Sequence, residues 1–277
     1  MPSIIVQRTY PLHEAYEGIR ERAVQVLGKY LGYPDLIEFN NSDRSVTFST
    51  ERLIPTASTK RPRVMLLFSN PHPHSVHQGM FLSPNTKGLE NAFWPVMSDA
   101  GWLPIAAEYR SPKQLADVCL KAEYSGPFEV IFYCYYAFPT DYPEDISTIF
   151  GREYFKDFIE PEANREFRKT IQETSVETVV TFNKGIFNLV SQDQVERYVE
   201  RLMDGELIQS EVKGIDGFVP VFLTFPTGWR YHGQYRQLRK ANLETIRTAI
   251  CSGSNVPSGV NTKQVATADA RGSMSHN

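Results

Sequence analysis

With 277 residues, of which 41% are hydrophobic and 22% charged, the chain has the balance of an ordinary globular α/β protein, long enough for one large core with extensions. Its net charge of −3 excludes a uniformly basic nucleic-acid binder but leaves room for a local basic face. No apolar stretch approaches the roughly 20 residues that span a bilayer, MPSIIVQRTYPL lacks the features of a secretory signal, and Cys119, Cys134 and Cys251 fit neither a disulfide framework nor a metal knuckle; an intracellular protein with reduced thiols is expected.

From the N-terminus, Leu12, Ala15, Tyr16, Ile19, Ala23, Val26, Leu27, Tyr30 and Leu31 recur at steps of three and four, predicting an amphipathic helix ended by Pro34. Residues 36–62 read as an edge strand around Val46 and Phe48 followed by a surface loop, so residues 1–60 form an extension packed on a domain of residues 61–250. The segment VMLLFSNPHP from Val64 to Pro73 is an apolar run that stops at Ser69, Asn70 and Pro71, the pattern of a strand buried on both faces and its exit loop. Three runs end alike: Val130–Tyr136 before Pro139, Thr178–Phe182 before Asn183, and Val219–Phe225 before Pro226.

Between these runs, Asn85 is expected to cap a helix using Leu89, Ala92, Phe93, Val96 and Met97, with Pro95 kinking it or lying in its first turn and Gly101 closing it. Thr140 to Glu162 reads as a long connection with a short helix. Ser191 is expected to cap a helix through Val195, Tyr198, Val199 and Leu202. Ile208 and Val212 suggest a hairpin between Asp204 and Gly217, and Leu238, Leu243, Ile246 and Ile250 a last helix from Gln234. Residues 251–277, rich in Ser, Gly, Thr and Asn, read as a disordered tail. The sum is a three-layer α/β/α sandwich around a short, mostly parallel four-stranded sheet, with its site where the strand exits converge.

Two local patterns compete for chemistry. Asn70 before Pro71 is either a working carboxamide or an Asx turn. His72, His74 and His77 follow the same strand as HxHxxH, close to the HxHxDH zinc motif of metallo-hydrolases. Val76 stands where that motif needs Asp and no second His and Asp set follows, so no metal is expected and the histidines are read as cleft-lining. The chain also lacks GxxxxGKS and a strand-linked GxGxxG, against nucleotide-driven chemistry.

The order of SNPH (Ser69–His72), GMF (Gly79–Phe81), NAFW (Asn91–Trp94), AGW (Ala100–Trp102), ETVVTFNKGIF (Glu177–Phe187) and LTFPTGWR (Leu223–Arg230) resembles the uracil-DNA glycosylase superfamily, especially its mismatch-specific branch, over roughly residues 60–248. The resemblance implies hydrolysis of the N-glycosidic bond of a flipped-out uracil or mismatched pyrimidine in DNA, by a monomer without cofactor, in the cytoplasm of a prokaryote or the nucleus of a eukaryote. Asn70 would position the water, with Thr227 turning a backbone N–H toward the departing base anion. Ser69, Pro71, His72 and Phe81 would bind substrate, Phe81 stacking on the base unless it is an ordinary core ring. Pro226, Gly228, Trp229, Arg230 and His232 would meet DNA, and Arg236, Arg239 and Lys240 its phosphates unless they are simply solvated on an exposed helix face. A [4Fe-4S] cluster would need four cysteines. The chain departs from the family pattern at Phe68 and His72 in place of glycines, at Phe225 and Thr227, and in a FNGK element one residue short. These departures keep a catalytically inactive nucleic-acid-binding member as the second reading, with a His-rich metallo-hydrolase as the third.

Overall fold

A computed structural model describes residues 4–28, 35–85, 87–227 and 234–253. In chain order the elements are β1 (Ile5–Pro11), α1 (Tyr16–Leu27), β2 (Ile37–Asn40), β3 (Ser45–Leu53), β4 (Arg63–Phe68), α2 (Pro73–Gln78), α3 (Phe93–Asp99), α4 (Pro112–Leu120) and β5 (Glu129–Cys134). Then follow α5 (Pro143–Phe150), α6 (Arg152–Tyr154), α7 (Glu160–Thr174), β6 (Thr178–Thr181), α8 (Lys184–Val190), α9 (Tyr198–Met203), β7 (Ile208–Glu211), β8 (Pro220–Leu223) and α10 (Gln234–Cys251).

The four apolar runs form β5, β4, β6 and β8, side by side and all parallel. Each is buried on both faces because alternate residues serve different layers: Met65, Leu67, Ile131 and Tyr133 pack with α1, α5, α7 and α8, whereas Val64, Leu66, Val130 and Phe132 pack with α3, α4 and α10. The sheet is larger than the expected four strands. It has eight, ordered β1-β3-β5-β4-β6-β8-β7, with β2 also pairing β3. The additions are antiparallel: β3 joins β5 through Arg52↔Tyr133 and Leu53↔Phe132, and β7 caps the other edge against β8. The N-terminal segment thus enters the same sheet. β1 and β3 mix polar and apolar positions, which hid both their extent and their pairing.

Several local expectations change. The first helix is preceded by a 3-10 turn at His13–Ala15 and covers Tyr16–Leu27; Tyr30, Leu31 and Pro34 lie outside the described residues. Asn85 does not cap a long helix; its Oδ1 accepts the N–H groups of Lys87 and Leu89 at 3.0 Å, closing a turn. The helix starts at Phe93, with Pro95 in its first turn, where the missing N–H costs nothing. The stretch read as a connection is mostly helical: α5 ends at Gly151 (φ 77°), after which α6, a π-helical turn at Phe155–Ile159 and α7 follow without a break. Ser191 bridges Val212 and its hydroxyl donates to Asp193 O at 2.6 Å, so the following helix shrinks to Tyr198–Met203. Of the hairpin expected between Asp204 and Gly217 only one strand lies there: β7 pairs antiparallel with β8, beyond Gly217; α10 begins at Gln234 as expected. Cys119 and Cys134 are buried free thiols and Cys251 is an exposed one. Among the described residues no helix is long and apolar enough to cross a membrane.

Candidate active site at the strand exits

The parallel arrangement brings the exits of β4, β5, β6 and β8 to one edge of the sheet. Those of β4 and β5 are joined by backbone hydrogen bonds beyond the strands: Tyr135 N–H donates to Phe68 O at 2.9 Å, Tyr136 N–H to Ser69 O at 2.8 Å and Thr140 N–H to Pro71 O at 3.1 Å. Asn70 is therefore held between two loops.

The Asn70 carboxamide has a defined orientation. Its Nδ2 donates to Thr140 O at 2.6 Å and to Thr140 Oγ1 at 3.0 Å. A backbone carbonyl can only accept, so the NH2 must face Thr140 and Oδ1 must point the other way. Oδ1 accepts the Ser69 hydroxyl at 2.9 Å, which leaves one of its two lone pairs without a side-chain donor among the described residues. Thr140 is fully buried, and its own hydroxyl donates to Tyr142 O at 2.9 Å, fixing the lone pair that receives Asn70. This is not an Asx turn: the partner of Oδ1 is a neighbouring hydroxyl, and the amide nitrogen reaches a residue 70 positions away.

Next to it, His72 is the N-cap of α2. Its Nδ1 accepts the N–H of His74 at 3.2 Å while Nε2 lies 3.3 Å from Asp141 Oδ1. Partial burial lowers its pKa and the Asp141 carboxylate opposes that shift. His74 turns away, with Nε2 2.6 Å from Pro84 O, and His77 is exposed. Among the described residues no three His, Cys, Asp or Glu side chains gather where they could hold a metal, so the HxHxxH pattern does not converge.

Phe81 lies in the core. It is 1% exposed, its ring centroid 5.7 Å from that of Phe68 and 5.4 Å from that of Phe132. It offers no open face for a base to stack on. Two of the blocks behind the resemblance also have structural work: Asn91 Oδ1 accepts Phe93 N–H at 3.0 Å at the start of α3, Trp94 Nε1 donates to Leu82 O at 3.0 Å, and Trp102 Nε1 donates to Leu243 O at 2.9 Å.

At the β8 exit, Thr224 N–H donates to Thr181 O at 3.0 Å and its hydroxyl to Asn242 Oδ1 at 2.6 Å. Phe225 is buried, and Pro226 and Thr227 follow half-buried. Gly228, Trp229, Arg230 and His232 lie outside the described residues. At the β6 exit, Asn183 caps α8, its Oδ1 accepting Ile186 N–H at 3.1 Å. Of the three cations read either as phosphate contacts or as simply solvated on an exposed helix face, Arg236 pairs with Asp99 at 2.5 Å and Lys240 with Glu244 at 3.7 Å. Arg239 departs from that expectation: it is 2% exposed, because it shares the inward stripe of α10 with Asn242, Leu243 and Ile246.

The same edge of the sheet carries an oriented carboxamide (Asn70) and a His–Asp pair (His72, Asp141), and the half-buried Pro226 and Thr227 follow the exit of β8. Thr140 and Asp141 escaped the sequence reading. The available signal was Pro139, which marks them as an exit of a buried strand, but nothing local tells that Thr140 grips a residue on another strand. Neither protein-family models nor curated proteins match this chain.

Proposed function

We propose that the protein is a DNA glycosylase that hydrolyses the N-glycosidic bond of a flipped-out uracil or mismatched pyrimidine, with water positioned by Asn70. The observation that carries this reading is the held carboxamide: Nδ2 is committed to Thr140, so Oδ1 keeps a fixed direction and, among the described residues, a free lone pair at the strand-exit edge. Cleavage through an oxocarbenium-like sugar needs an aligned water and a stabilised departing anion more than a strong base, and a neutral amide suits a good leaving group such as uracil. Asn70 supplies the alignment. Pro226 and Thr227 supply backbone near the departing base, and the ordered SNPH, TFNK and FPTGW blocks supply the family resemblance.

The second reading, a nucleic-acid-binding member without catalysis, is favoured by the burial of Phe81, which leaves the flipped base without its stacking ring. Incubation with uracil-containing oligonucleotides, single-stranded or paired as U:G or T:G, followed by alkali, separates the two. Strand breaks at the uracil or the mismatched thymine support the glycosylase. Salt-dependent binding without breaks on any substrate selects the inactive member.

A further inference from the structure

Pro71 and Pro73 restrict the backbone on both sides of His72. A residue before proline is held extended, and His72 has φ −86° and ψ 130°, the conformation of an N-cap, with Pro73 opening α2. Its ring is thereby turned to the helix start, where Nδ1 accepts the His74 N–H at 3.2 Å. A backbone N–H can only donate, so Nδ1 carries no proton and the proton of the neutral ring sits on Nε2, 3.3 Å from Asp141 Oδ1. One imidazole therefore touches both α2 and the β5 exit, and Asp141 directly follows Thr140, the residue that Asn70 Nδ2 holds.

Protonation undoes half of this arrangement. A proton on Nδ1 would face the His74 N–H, donor against donor, so the ring would have to leave the start of α2 while its attraction to Asp141 grows. Among the described residues the titratable groups that face the ring are Asp141 from the β5 exit and His74 from α2; burial lowers the His72 pKa, Asp141 opposes that shift and His74 adds to it. The neutral ring is the form the fold accommodates.

We propose that His72 is a positioning residue of the site: only its neutral ring clamps α2 to the β5 exit, and the loop that carries Asn70 keeps its working geometry only while that clamp is closed. The effect on base release rests on the glycosylase reading, whereas the clamp itself does not.

The test follows the full chain between pH 5 and 8 as wild type, Asp141→Asn and His72→Asn, the last a cap that does not titrate. Nitrogen NMR shifts of the His72 ring should report the Nε2–H tautomer and a titration midpoint below the ordinary value of about 6.5. The His74 amide proton should shift with that same midpoint, and Asp141→Asn should lower the midpoint further. In urea titrations the unfolding constant of wild type relative to His72→Asn should rise as pH falls from about 6.5 toward that midpoint, because the unfolded chain takes up its proton first. In single-turnover uracil release the wild-type rate should fall about tenfold per pH unit below the midpoint, and His72→Asn, whatever its rate at pH 8, should lack that acid limb. An Nδ1–H tautomer, a midpoint that is not lowered or that Asp141→Asn does not lower further, a His74 amide indifferent to the ring, stability curves that run parallel, or an acid limb that survives in His72→Asn overturns the proposal. A wild type that releases no base at any pH, with ring, amide and stability behaving as stated, overturns the glycosylase reading and the positioning role with it, while the clamp stands.

Discussion

Thr140→Val tests how Asn70 is aimed. The substitution keeps shape and volume but deletes Oγ1, and with it the 3.0 Å bond from Asn70 Nδ2 and the 2.9 Å bond to Tyr142 O; the 2.6 Å bond to Thr140 O remains. Each lost bond is worth about 1 kcal/mol net, and Tyr142 O keeps the Asp145 N–H at 3.1 Å, so unfolding free energy should fall by about 2 kcal/mol in a urea titration. One of the bonds that orient the carboxamide goes, while Thr140 O, Pro71 O and the Ser69 hydroxyl still hold it, and about 1.4 kcal/mol of alignment is about tenfold in rate. Single-turnover base release should therefore slow about tenfold while DNA affinity stays within about twofold, and Thr140→Ser should recover most of the rate. The Asn70 side-chain amide resonances, identified with Asn70→Ala, supply a readout free of activity: two dispersed, protected signals in the wild type should collapse toward solvent-like values in Thr140→Val. Unchanged resonances, or a rate equal to wild type despite the stability loss, would refute the claim that Thr140 sets the amide.

Glu51 is buried with Oε2 lacking a partner among the described residues, and burial raises its pKa well above the ordinary carboxylate value. The folded chain then holds a proton that the unfolded chain releases above about pH 4.3, so this group makes stability decline as pH rises from there toward its folded-state pKa. Glu51→Gln should remove that decline, its stability relative to wild type growing between pH 5 and 8 in urea titrations; parallel curves would contradict the burial. Arg61 donates to Ala122 O at 2.6 Å, Tyr124 O at 2.8 Å and Gly126 O at 3.0 Å and lies over the Tyr124 ring, tying down the loop that leads into β5. Arg61→Ala should cost about 3 kcal/mol, and a loss below about 1 kcal/mol would show that the loop holds without it.

Legibility followed the physics of each element. β4, β5, β6 and β8 were readable because strands buried on both faces are uninterrupted apolar runs, and Pro or Asn stops each within a few residues. β3 was readable only in its first half: Val46 and Phe48 alternate cleanly, but beyond them Thr50 and Glu51 are polar and buried, contrary to the rule by which a strand is recognised. The helical stretch through α7 was hidden by the π-helical turn at Phe155–Ile159, whose extra residue breaks the 3.6-residue period. In the site, Asn70 could be singled out from its exit, whereas its orientation rests on Thr140, a partner fixed only when β5 pairs with β4. Phe81 shows the opposite limit. An aromatic beside a glycine looks alike in sequence whether its ring meets a ligand or, as here, Phe68 and Phe132.

The most direct test of the account is single-turnover excision of uracil from an oligonucleotide by wild type and Asn70→Ala, with DNA affinity measured in parallel. If Asn70 aligns the water, the wild type releases the base and the variant is slower by about 100-fold or more, at affinity within about twofold. Equal rates in the two proteins would contradict the role of Asn70, and a wild type that releases no base would contradict the glycosylase itself.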